Sequence, residues 1–325
     1  MKKPLIILTG PTAVGKTELS IALAKRVNGS IISADSMQVY KHMDIGSAKI
    51  MPKEMQGVLH YLIDEFEPDE EFHVVRFQEY AKKYLEEIYR QNRIPIIAGG
   101  TGFYIQALLY DIDFTEEAED TAYRKELEEF AQKNGAHALH ERLAAVDDRA
   151  AQQIHENNVK RVIRALEFHH KSGQKISEHN EEQQKKASPY NFAYFVLNDD
   201  RDRLYARIDQ RVDHMMEAGL LEEVQQLKAM GYHRHMVSMQ GLGYKEMLDY
   251  LEGNITLEEA IYKIKRDTRH FAKRQLTWFR REKDVIWVNQ PDFSYDKDDI
   301  LSYMLSILQE RKILSGSFVH DRKES

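Results

Sequence analysis

Gly10-Pro11-Thr12-Ala13-Val14-Gly15-Lys16-Thr17 follows the apolar run Leu5 to Leu8 and leads into the helix-forming stretch Glu18 to Arg26. Strand, glycine-bracketed loop and helix in that order fit G-x-x-x-x-G-K-[ST], and they confine the chain to folds in which a strand of a parallel sheet feeds a helix N-terminus. The glycines let successive backbone N–H groups turn inward into a nest for an anion. The helix start adds unpaired N–H groups and the positive end of its dipole. Lys16 is expected on terminal phosphates, and the Thr17 hydroxyl on a Mg²⁺. The loop grips a phosphate chain; by itself it does not say what becomes of it.

With 325 residues, 42% of them hydrophobic, the chain is long enough for a full α/β core and a second lobe. Apolar, β-branched runs recur at Leu5 to Leu8, Ser30 to Ala34, Leu59 to Ile63, Ile94 to Ala98, Phe192 to Leu197 and Val285 to Val288, with helical patterns between the early ones. The expected architecture is therefore α/β, a mostly parallel sheet with helices on both faces. From about Phe114 to Gln184 the pattern turns to helices alone, rich in Glu, Lys, Gln and His. That block reads as a helical insertion, 114–190, in a core made of 1–113 and 191–325. The polar stretch Ser177 to Pro189 reads as its mobile exit, and Ser315 to Ser325 as a disordered tail.

The chain has no cysteine, which excludes a disulfide scaffold and any Cys-based zinc module. The first strand follows Lys2-Lys3-Pro4 directly, and no apolar run approaches the ~18 residues of a membrane span, so a soluble, cytoplasmic, monomeric protein is expected. A net charge of −7 argues against nucleic acid bound over the whole surface, but not against a local basic face. Lys263 to Lys283 supplies one, with nine basic residues against Asp267 and Glu282. On a 3.6-residue period Lys263, Arg266, Arg269, His270, Lys273, Thr277 and Arg280 share one side; Ile261, Ile264, Thr268, Phe271, Gln275 and Phe279 share the other. A one-signed surplus beside Trp278 suits phosphate or RNA.

In a parallel sheet, ligands sit outside the carboxyl ends of the strands. Asp35, in Ser33 to Tyr40, stands at such an end, where a carboxylate holds Mg²⁺ through water or takes a proton from a nucleophile. Asp64, closing Leu59 to Ile63, is a competing acid of the NTPase metal-site kind. Gly99-Gly100-Thr101-Gly102 ends the fourth strand with free backbone and a hydroxyl. A small-molecule kinase with Asp35 as base, or a noncatalytic RNA-binding or nucleotide-sensing protein, would share the loop.

Four early segments together resemble the bacterial tRNA dimethylallyltransferase (tRNA isopentenyltransferase) family: Gly10 to Thr17, Asp35 to Tyr40, Asp44-Ile45-Gly46-Ser47-Ala48-Lys49 and Gly99 to Tyr104. Asp209 to Val212, Gly219 to Val224, Gly243 to Glu246 and Thr268 to Arg280 extend the resemblance to about residue 290. It implies a P-loop NTPase-like fold turned to prenyl transfer. The loop, Gly10 to Thr17, would hold dimethylallyl diphosphate with Mg²⁺ on Thr17, and pyrophosphate would leave. Asp35 matches the family's general base, and Asp35, Ser36, Met37 and Gln38 its base-binding stretch, with Gln38 suited to an adenine edge. Tyr40 and Met37 suit core packing equally. Thr101 matches a contact to donor and tRNA, and Arg207 a diphosphate-side arginine beside Lys16 and Thr17. The tRNA anticodon stem-loop is expected on Arg124, on Lys160, Arg161, Val162, Ile163 and Arg164 of the insertion, and on Arg269, Lys273 and Arg274.

Overall fold

The computed structural model describes residues 2–114 and 121–314. Its first compact unit comprises 1–109 and 189–325, and its second 110–188. The expected tail, Ser315 to Ser325, lies outside the described residues.

In the first unit β1 (Lys3–Thr9) leads through the phosphate loop into α1 (Lys16–Val27), then β2 (Gly29–Ala34) and β3 (His60–Tyr61). After these come α2 (Val74–Arg90), β4 (Ile94–Gly99) and α3 (Gly102–Leu109). The second unit holds α4 (Thr121–Val146), α5 (Asp148–Gln153), α6 (Val159–Ser172) and α7 (Ile176–Lys185). The chain then returns with β5 (Tyr190–Asn198), α8 (Arg201–Glu217), α9 (Leu220–Ala229), α10 (Tyr244–Leu251), α11 (Leu257–Phe279), β6 (Val285–Asn289) and α12 (Lys297–Glu310).

All six strands are parallel, in the order β3-β2-β4-β1-β5-β6. A parallel sheet buries both faces, and the alternation of side chains shows how. Ile6, Leu8, Ile31, Ile96, Phe195 and Leu197 join one cluster with Leu19, Leu23 and Val27 of α1 and Met304 and Leu308 of α12. Their neighbours Leu5, Ile7, Ile32, Ile97 and Val196 are equally buried outside it, as are Phe77, Ala81 and Leu85 of α2 and Ile105 of α3, which form the other layer. Tyr104 of α3 stacks on Phe77, centroids 4.7 Å apart.

Two expectations change. The run Leu59 to Ile63 pairs only through His60 and Tyr61, because Leu62 and Asp64 turn to positive φ and leave the sheet. The stretch read as a mobile exit is mostly helix, α7. Its composition, rich in Glu, Gln and Lys, favours helix as much as exposure. The buried Asp147 fixes its start, taking the Ser177 N–H on Oδ2 at 2.9 Å and the Ser177 hydroxyl on Oδ1 at 2.7 Å. The second unit has its own core of Leu127, Leu139, Leu143, Val162, Ile163 and Leu166. Gly135, at φ 87°, interrupts α4.

The ends of β1, β2 and β4 are held level. Thr9 pairs with Gly99, and Gly99 with Ala34; the Thr9 hydroxyl also donates to Gly99 O at 2.7 Å. A Cβ on Gly99 would lie 2.2 Å from Ala34 O, with no flexible side chain to give way. Gly99→Ala is expected to destabilise the protein by about 2–3 kcal/mol, read as a lowered urea midpoint at unchanged slope. A midpoint within error of the parent would show that the strands have room there.

Candidate active site

β1 stops at Thr9, and Gly10 to Gly15 carries the chain over the edge of the sheet. Gly15, at φ 101°, is the N-cap of α1, a conformation open to glycine that aims the first N–H groups of the helix into the loop. Lys16 folds back over this loop and donates from Nζ to Pro11 O at 2.7 Å and to Gly10 O at 3.0 Å. Thr17 is exposed in the first turn of α1.

Asp35 follows β2. Its Oδ1 accepts the N–H groups of Met37 at 2.8 Å and Gln38 at 3.3 Å, an Asx turn that fixes the carboxyl and leaves Oδ2 available. Gln38 donates from Nε2 to Ala48 O at 3.1 Å. Lys16, Thr17, Ser33, Asp35, Gln38 and Gly99 line one cavity of about 60 Å³. Thr101, two residues beyond, donates its N–H to Ala34 O at 3.1 Å and so sits beside Asp35 at the start of α3.

Asp64 belongs elsewhere. It pairs with the buried Nζ of Lys49, which also donates to Asp44 Oδ1 and Tyr40 O, each at 2.6 Å. Asp35 is therefore the acid that shares the cavity with the loop. Tyr40 is core, 1% exposed, with its hydroxyl accepting from Phe72 N; Met37 and Ser36 are half-buried.

The family model for IPP transferase matches residues 38–282. The chain belongs to this family. It is 63% identical to a protein named tRNA dimethylallyltransferase from Lachnoclostridium phytofermentans, over 96% of this chain and 99% of that one. A protein of the same name from Acetivibrio thermocellus is 50% identical over 93% and 97%. Among solved structures, the full-length tRNA isopentenylpyrophosphate transferase of Bacillus halodurans is 46% identical, with a TM-score of 0.72 and coverage of 96% and 98%. A eukaryotic dimethylallyltransferase acting on tRNA is 31% identical with a TM-score of 0.82, covering 96% of this chain and 79% of that one.

Two residues not singled out from the sequence complete the loop's surroundings. Arg211 lies one turn beyond Arg207 on α8, and Arg207 Nη2 would be 3.5 Å from a Cβ on Gly15. Burial first, and then the Arg211 charge, depress the Lys16 ammonium to about 7, with Asp35 partly opposing both. Burial also lowers Arg211, against Asp35, while Arg207 adds to the lowering. Lys16, Arg207, Arg211 and Asp35 are thus one electrostatic group with more cations than anions. The signal for Arg211 was its i, i+4 spacing from Arg207. Gln275 is the second: its Oε1 accepts Thr12 N–H at 2.8 Å and its Nε2 donates to Gly100 O at 3.0 Å, tying the phosphate loop to the end of β4. A lone amide on the buried side of a basic helix was its signal.

Among the expected tRNA contacts the structure separates exposed cations from those paired with carboxylates. Lys273 and Arg274 are exposed and, with His270, Thr277, Trp278 and Arg281, line an open cavity of about 410 Å³. Arg269 is paired with Asp209 on α8. In the second unit Lys160, Arg161 and Arg164 are exposed, whereas Val162 and Ile163, 0% and 3% exposed, are core residues on the inner side of α6. Arg124 grips Glu167 with both arms, Nε to Oε1 at 3.0 Å and Nη2 to Oε2 at 2.9 Å, a bidentate fork facing a carboxylate rather than a phosphate.

A lysine depressed to about 7 is mostly neutral at pH 8, and an arriving anion restores its proton. Binding of a diphosphate monoester at pH 8 is expected to take up most of a proton, read by calorimetry in buffers of different ionisation heat. Lys16→Met should abolish the uptake. Binding without uptake in the parent protein would put Lys16 outside the phosphate site.

Proposed function

We infer that this chain transfers the dimethylallyl group of dimethylallyl diphosphate to tRNA, at N6 of the adenosine 3′-adjacent to the anticodon (position 37), releasing pyrophosphate. The observation that carries this is the shared cavity: an anion cradle, Lys16 and Thr17, opens into the same space as a carboxylate with a free oxygen, Asp35, and an amide, Gln38. The named relatives support the same reading.

The N6 lone pair attacks the first carbon of the allyl group. The C–O bond to the diphosphate breaks, and the bonding electrons leave with pyrophosphate. The proton that N6 must shed passes to Asp35 Oδ2, the oxygen not held by backbone. Charge grows on the leaving oxygen, and Lys16, Arg207 and Arg211 are already in place to balance it, so little reorganisation is needed. Among the described residues no group of three or more acidic, histidine or cysteine ligands forms a metal cage. A single exposed hydroxyl beside a phosphate site instead fits Mg²⁺, which takes most of its oxygens from substrate phosphates and water. Thr17 would hold it, and the ion would supply further neutralisation of the diphosphate. The adenosine must leave its stack to reach Asp35, at a cost of a few kcal/mol. Lys273 and Arg274 on α11, and Lys160, Arg161 and Arg164 in the helical unit, offer phosphate contacts that offset it.

With unmodified tRNA, label is expected to enter RNA from radiolabelled dimethylallyl diphosphate and not from γ-labelled ATP. Phosphoryl transfer, or no transfer, would overturn the reading. Asp35→Asn keeps the shape and the Asx turn but is a poor proton acceptor; it is expected to lower turnover at least 10²-fold with donor affinity within about twofold. Parent-like turnover would remove Asp35 as the base.

Arg161→Ala combined with Arg164→Ala is expected to weaken tRNA binding and to flatten the slope of log K against log salt by about 1–2, the yield of two lost phosphate contacts. An unchanged slope would place both arginines outside the RNA interface.

A further inference from the structure

The loop following Met43 is held by an unusual acceptor. Glu223, at the start of α9 and 9% exposed, takes three consecutive backbone N–H groups: Asp44 at 2.9 Å and Ile45 at 2.7 Å on Oε2, and Gly46 at 3.0 Å on Oε1. Tyr244, 0% exposed at the start of α10, donates its hydroxyl to Glu223 Oε1 at 2.8 Å and accepts the Ser47 N–H at 3.1 Å. Four successive N–H groups are thus fixed by one carboxylate and one phenol. The fit is close, since a Cβ on Gly46 would lie 2.5 Å from the Tyr244 ring. Burial, with Glu223 alongside, raises the phenol well above its ordinary value, so it remains a donor.

The next residue is Ala48, in a left-handed conformation at φ 46°, and its carbonyl oxygen takes the Gln38 side chain. A carbonyl oxygen only accepts, so the Gln38 atom 3.1 Å from it is the amide nitrogen, and the assignment of N and O follows from chemistry. The other amide atom, Oε1, accepts no hydrogen bond among the described residues, and Gln38 lines the cavity it shares with Asp35.

We propose that Glu223 and Tyr244 are positioning residues: by fixing the 44–48 loop they hold the Ala48 carbonyl on Gln38 Nε2 and turn Gln38 Oε1, an acceptor only, toward the incoming base. This rests on the reading of Gln38 as a contact to the acceptor base. The site then selects a purine carrying an amine at C6. One N6 hydrogen is received by Gln38 Oε1 and the other by Asp35, whereas a purine with a C6 carbonyl presents an acceptor to an acceptor. Released from Ala48, the amide can rotate and donate instead, and the selection is lost.

The test compares two anticodon stem-loop RNAs, one with the target adenosine and one with inosine in its place, bound in the presence of inorganic pyrophosphate so that no transfer occurs. The parent protein is expected to hold the adenosine loop roughly tenfold tighter, the worth of one hydrogen bond gained against one acceptor left facing an acceptor. Tyr244→Phe keeps the ring against Gly46 and removes only the hydroxyl; Glu223→Gln keeps the shape. Each should reduce the ratio to about twofold or less, mainly by tightening the inosine loop, with dimethylallyl diphosphate affinity unchanged. In a Gln38→Ala background Tyr244→Phe should change the ratio no further. A tenfold ratio kept by both variants but lost in Gln38→Ala overturns the positioning role. A parent ratio of one with tRNA prenylation intact overturns the reading of Gln38 and the inference with it. Failure of the parent to prenylate tRNA at all is instead the failure of the transfer reading.

Discussion

The level termination of β1, β2 and β4 is the constraint on which the site depends. Thr9, Gly99 and Ala34 are register partners across three adjacent parallel strands, so the phosphate loop, Gly100-Thr101 and Asp35 all begin at one height above the sheet. β1 is also where the strand order reverses: the chain runs outward on one side to β2 and β3, returns with β4, and continues on the other side with β5 and β6. A crevice opens at such a point because consecutive connections diverge there. Gly99 permits the close approach of β2 and β4 that brings Asp35 to the phosphate loop, and the Thr9 hydroxyl locks the same spot from β1. Shifting any of these strands by one residue would turn Asp35 or the loop away from the cavity.

Electrostatics then gives the crevice its direction. Burial is the main reason the Lys16 ammonium is driven down to about 7; the neighbouring Arg211 charge adds to it and Asp35 partly relieves it. In the proposed function a doubly or triply charged diphosphate would offset this surplus of positive charge. In the proposed function one group of four side chains would therefore serve the donor and the acceptor with opposite signs of charge.

What was legible in the sequence is what short-range chemistry dictates. The loop Gly10 to Thr17 needs only its own glycines and the flanking strand and helix; the strand runs were readable because buried parallel strands are continuously apolar. Asp35 and Thr101 were legible as strand-end residues. What was not legible lies where a side chain's partner is far away in sequence. Arg124 read as a free cation until Glu167 stood opposite it, and Arg269 until Asp209 did. Val162 and Ile163 share a basic stretch with Arg161 and Arg164, but helical geometry turns them inward. Ser177 to Pro189 looked like a polar linker because its first turn is secured by Asp147, thirty residues earlier. Gln275 showed only as a lone amide on the packing side of a basic helix and Glu223 gave no local sign at all; neither told that its polar end would collect the backbone of another segment.

Those two residues show how the site is divided. The donor side is braced from α11, where Gln275 straps Thr12 to Gly100, and from α8, which brings Arg207 and Arg211. The acceptor side is braced from α9 and α10, through Glu223 and Tyr244 to the loop that holds Gln38. Both braces come from the chain beyond β5, and no hydrogen bond links Gln275 or its two loops to the Glu223–Tyr244 pair among the described residues. Buried amides and carboxylates that satisfy backbone N–H groups hold a loop far more rigidly than exposed ion pairs do, since breaking one leaves an unpaired polar group inside the protein. Separate rigid supports let each half be shaped for its own ligand, the diphosphate cradle by charge and the base cavity by the direction of a single amide. The proposed reaction would need both halves at once only at Asp35, which lines the cavity with Lys16, Thr17 and Gln38.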